Sequence, residues 1–164
     1  MKSNSITAAF AALIIAGLGA GAAFAGPTAQ QTVTYEVQAI NELAVSAPTA
    51  SLVVNSATAG SAPNVATDSS TSYSITTNET NRKITGVINS NMPAGVTLSV
   101  TLAAPSGASS MGKQALSTSP ADLVMEIGTL NDSAKTISYE LAATSAAGVV
   151  SSATKTVTLT ITAG

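Results

Sequence analysis

The sequence has no cysteine, no histidine and no tryptophan, and only 9% of its residues are charged. Each absence closes a class of function. Without cysteine there is neither a disulfide framework nor a thiol to carry a lipid or act as a nucleophile. Without histidine the usual base of a serine triad is missing, as is the commonest ligand of a catalytic metal. Lysine can stand in for histidine beside a serine, and Ser109-Ser110-Met111-Gly112-Lys113 is the nearest such cluster. It lies in a run of small residues and reads as a solvated loop. The eight carboxylates are scattered singly, and no D-x-[DN]-x-[DN]-G calcium loop occurs. The expectation is a protein that is not an enzyme and uses neither cofactor nor metal.

Aromatic residues are equally few. Both phenylalanines, Phe10 and Phe24, fall in the first 25 positions, which leaves Tyr35, Tyr73 and Tyr139 for the rest of the chain. That argues against an aromatic-lined sugar or ligand pocket. The net charge is −2, and the basic residues beyond Lys2 are Arg82, Lys83, Lys113, Lys135 and Lys155. Only two of these are adjacent, so no basic stripe exists for nucleic acid.

What is present begins with an export pattern. One positive charge, at Lys2, precedes an apolar run from Ala8 to Ala20, and Ala23-Phe24-Ala25 then supplies the small residues that signal peptidase reads. Residues 1–25 are therefore expected to be a signal peptide cleaved between Ala25 and Gly26. The apolar run is shorter than the roughly 20 residues of a spanning helix. No second such run follows, so no membrane anchor is expected after cleavage. Residues 26–164 should form one domain.

Within that domain strand patterns dominate. Val96 to Leu102 and Val157 to Thr162 alternate apolar and hydroxyl side chains, and Ile137-Ser138-Tyr139-Glu140-Leu141 does the same. Threonine on the wet face keeps β-propensity and solubility together. Weaker candidates are Ser51–Asn55, Ser72–Thr77, Arg82–Ile88 and Leu123–Ile127. Thr32 to Val45 reads as one long first strand: Val33, Tyr35, Val37 and Ala39 share a face, and Ile40 breaks the parity. Asn78-Glu79-Thr80-Asn81 reads as a hairpin turn, and Asn131-Asp132 as a turn before 136–143. Both asparagines also match the glycosylation sequon, which turn chemistry already accounts for. Ser56–Ser70 and Ala104–Ala121 read as long loops. The sum is an all-β, Ig-like or Greek-key β-sandwich of roughly seven to nine strands.

The segment Gln31 to Ile40, the corner Thr77 to Ile84 and the run Thr156 to Thr162 together resemble fimbrial major subunits, most closely the alpha-fimbrial type and related donor-strand biofilm fibres. The likeness is one of pattern over most of residues 26–164; unlike disulfide-bearing pilins, this chain has no cysteine. The resemblance implies that Thr28–Ile40 acts as a donor strand completing a neighbour's sandwich. Val33, Tyr35, Val37, Ala39 and Ile40 would then form the subunit interface. It implies an extracellular fibre built from copies of the chain, with an assembly chaperone or outer-membrane assembly protein as a further partner. The competing expectation is a monomeric secreted or periplasmic β-sandwich that binds a ligand or surface. In either case a free strand edge in so weakly charged a domain invites pairing.

Overall fold

The computed structural model describes residues 26–164, in two units: one reaching to Glu36, the other Val37–Gly164. In the first, residues 26–36 belong to no strand or helix and are exposed throughout. Ala23 and Ala25 of the expected cleavage site lie outside the described residues, and Gly26 is exposed.

The second unit is a β-sandwich. Its strands are β1 (Asn41–Val45), β2 (Ala66–Thr77), β3 (Arg82–Ile88), β4 (Val96–Leu102), β5 (Ser109–Ser110), β6 (Gln114–Ala115), β7 (Ala121–Ile127), β8 (Leu130–Ala143) and β9 (Val157–Ala163). One sheet has the order β1-β2-β8-β4-β6, the other β5-β7-β3-β9, and every pairing is antiparallel. The core between them is built by alternation. β4 turns Leu98, Val100 and Leu102 inward, and β3 turns Ile84, Gly86 and Ile88 inward. Gly86 is small for a reason: a Cβ there would stand 2.7 Å from Cδ1 of buried Leu123. β7 buries the consecutive pair Leu123 and Val124, which strict alternation forbids. Its register against β3 shifts on either side of Ile84, and Glu126 has φ +61°, so an irregular ladder lets both side chains reach the core.

β3, β4 and β9 match their expected spans almost to the residue. Other expectations need correction. Thr32–Val45 is not one strand, because only Asn41–Val45 pairs with β2. Alternation supplies two faces but not a partner. Ser51–Asn55 forms no strand either. Residues 78–81 do not close a hairpin: β2 and β3 belong to opposite sheets, so this is a corner between layers. Asn131 and Asp132 are not a turn, since they pair with Thr76 and Ile75 inside β8. The expected loop Ser56–Ser70 gives its last five residues to β2, and Ala104–Ala121 contains the two-residue strands β5 and β6.

Candidate functional site

The residues singled out by sequence stand fully in view. Val33 is 72% exposed, Tyr35 89% and Val37 79%, while Ala39 and Ile40 are also exposed. None of residues 28–40 belongs to a strand. Large apolar side chains alternate with polar ones along this segment in the sequence, and each of them is exposed.

Where this segment enters the sandwich, the corner Asn78–Asn81 fixes it. Asn78 accepts from the Ile40 backbone N–H through Oδ1 (2.8 Å) and donates through Nδ2 to the Gln38 carbonyl (2.7 Å). Its backbone N–H donates to the Ile40 carbonyl (3.2 Å). One asparagine thus imitates a neighbouring strand for two residues. Thr77 Oγ1 donates to Asn41 Oδ1 at 2.8 Å, and Glu79 accepts from both Asn41 and Arg82. The corner read as turn chemistry is also the anchor of the segment.

A second feature was not legible in the sequence. β9 pairs with β3 on one side only. Beside β9 and β1 lies a groove of about 710 Å³, walled also by residues 47–50, 52 and 153–156. It runs into a second groove of about 770 Å³, with which it shares Leu52, Met92, Leu141, Ala153 and Lys155. The floor of this seam is the inner face of β8: Ile137, Tyr139 and Leu141 in the first groove, Leu141 and Ala143 in the second. Ile137 is buried, but Tyr139, Leu141, Ala143 and Leu159 are only half-buried, although all but Ala143 pack on the core. Burial nevertheless pushes the Tyr139 hydroxyl above its ordinary value. Leu141, Leu159 and Ile161 all pack on the core, but Leu141 and Leu159 also line the groove rather than a closed interior. The apolar run of β8 was visible as a core face; its incomplete cover arises from segments distant in sequence.

The remaining polar groups are tied to structure. Asp68 accepts from Ser70 Oγ, Ser70 N–H and Ser51 N–H, which hold its carboxyl below the usual range and pin residue 51 beside β2. Lys83 pairs with Asp122, Lys113 with Glu140 and Lys135 with Asp132. Ser110 Oγ donates to the Leu102 carbonyl at 2.6 Å while Lys113 faces Glu140, so serine and lysine of the 109–113 cluster are engaged separately. Lys155 donates to Ser90 Oγ and the Asn91 carbonyl at the border of the seam. Among the described residues no helix is long and apolar enough to cross a membrane. No family model, no curated protein and no solved structure matches the chain, so the reading of this site rests on its own geometry.

Proposed function

We propose that the chain is an extracellular structural subunit without catalytic role, exported through cleavage after Ala25, that builds a surface fibre from copies of itself by β-strand addition. The observation that carries this reading is the exposure of Val33, Tyr35 and Val37, which alternate with polar residues along a segment outside every sheet. Leaving three such side chains in water forfeits roughly 1.5–3 kcal/mol each relative to full burial. A neighbour that accepts the segment as a strand recovers that energy and satisfies the backbone. Export through a periplasm would give an assembly chaperone or outer-membrane protein the task of covering these surfaces beforehand.

Electron microscopy of the exported protein tests the reading. Filaments are expected, and the double variant Val33→Asp, Val37→Asp should give folded particles that do not polymerise. Uniform small particles from the unaltered protein would refute it. That outcome favours a monomeric secreted or periplasmic binding module, a reading supported by a seam within the roughly 300–1,000 Å³ range of ligand pockets.

A further inference from the structure

We infer that the seam beside β9 binds a single-chain anionic amphiphile, a long-chain fatty carboxylate, with its head on Lys155 and its hydrocarbon tail along the inner face of β8. One copy of the chain supplies the whole site, whether or not copies polymerise.

The charges of the sandwich single out Lys155. Arg82 faces Glu79, Lys83 faces Asp122, Lys113 faces Glu140 and Lys135 faces Asp132. Lys155 instead donates to two uncharged oxygens, Ser90 Oγ at 2.7 Å and the Asn91 carbonyl at 2.9 Å. An ammonium carries three donors, so these bonds fix the group and leave one N–H to offer. Lys155 is half-buried, lines both grooves, and is the only charged side chain among the residues lining them. A cation against an apolar wall, with no carboxylate sharing the site, attracts an anion more strongly than one in open water.

The rest of the seam suits a flexible hydrocarbon. Aliphatic side chains such as Leu52, Met92, Leu141 and Leu159 line it with one aromatic ring, Tyr139, so it lacks the flat platforms that hold sugars and ring systems. Val45, Val53 and Val150 also line it and are 50%, 66% and 46% exposed, which is apolar surface that a bound chain would shield.

The first groove has the length of one acyl chain. From Leu141, which like Lys155 belongs to both grooves, its floor runs back along β8 to Ile137, about 13 Å of strand. The acyl chains of one bilayer leaflet span about 15 Å, half of the hydrocarbon core. A carboxylate at Lys155 therefore lays its tail over Tyr139 and Ile137, with Leu159 of the opposite sheet beside it.

Calorimetric titration of the exported protein with laurate, below its micelle concentration, tests this. One laurate per chain is expected, and octanoate, four methylenes shorter, should bind about a hundredfold more weakly, since each buried methylene is worth about fourfold. Lys155→Gln should weaken laurate about tenfold through loss of the charged hydrogen bond, and change uncharged dodecanol less than twofold. Should that variant fail to fold by circular dichroism, the unaltered protein decides the charge: dodecyltrimethylammonium must bind at least about tenfold more weakly than laurate. The chain has no tryptophan of its own, so Ala153→Trp in the seam and Ala115→Trp on β6 report the location, and laurate carrying bromine should quench the first and not the second. Absence of laurate binding, equal losses of laurate and dodecanol in Lys155→Gln, a cation that binds as well as laurate, or equal quenching at 115 and 153 would each overturn the inference.

Discussion

Tyr73 is fully buried, and its hydroxyl donates to the Ala103 carbonyl at 2.6 Å. That bond ties the centre of β2 to the residue just after β4, in the same sheet but on the far side of β8. Tyr73→Phe keeps the ring in place and removes only the donor. Leaving a partly buried carbonyl without it should cost about 1–2 kcal/mol, or roughly 3–8 °C in melting temperature. The sign reverses at high pH. Burial, with the negative charge of Asp132, pushes the Tyr73 hydroxyl far above its ordinary value near 10. Above that pH the unfolded chain has lost this proton while the folded one holds it. The unfolded state then binds fewer protons, and stability falls as pH rises, with a slope of up to about 1.4 kcal/mol per pH unit from this residue. Phenylalanine removes that liability. Urea unfolding followed by circular dichroism at pH 7 and pH 11 should find the variant less stable at pH 7 and the difference diminished or inverted at pH 11. A difference independent of pH, or no loss at pH 7, would refute the buried hydrogen bond.

Two further outcomes follow from the same architecture. Leu123→Ala, at a site with 0% exposure, should destabilise by about 2–5 kcal/mol, whereas Leu159→Ala should cost less than half as much because the seam leaves it half-open; Thr158→Ala and Thr160→Ala should stay within about 0.5 kcal/mol, and chemical denaturation ranks all four. Asp132 is held below its usual range by Lys135 and the Ser106 N–H. Its folded value is depressed, so its contribution is present above about pH 4 and is lost as pH falls through the folded value. The stability difference between the unaltered protein and Asp132→Asn should therefore shrink between pH 7 and pH 2.

Legibility in the sequence tracked how much of each element is decided locally. β4 and β9 were readable because apolar and hydroxyl residues alternate without interruption and the runs end in polar or small residues. The first half of β8 was not, because Asn131-Asp132-Ser133 carries turn chemistry. There the ladder with Ile75 to Thr77 overrides propensity, and a register shift beside Ala134, at φ +55°, absorbs the misfit. The opening residues of β2, Ala66 to Ser70, lack apolar alternation and are strand only through β8. Segment 28–40 failed in the opposite way: it has the pattern of a strand and no ladder. The seam could not be read at all, since β1, β8, β9 and residues 47–52 build it jointly.

β9 completes its sheet by lying along β3, with Val157 against Ile88 and Ala163 against Arg82. β3 is made early in synthesis, but its outer ladder stays open until residues 157–163 have been made. The same holds within the other sheet, where β8 must arrive before β2 and β4 have anything between them. Such long-range closure makes folding slow compared with locally wired chains of similar size. A chain still tethered to the ribosome therefore spends most of its synthesis with Ile84, Ile88 and Leu98 unsheltered. Truncations that remove β9 should accumulate as sticky, protease-sensitive intermediates rather than as smaller folded domains.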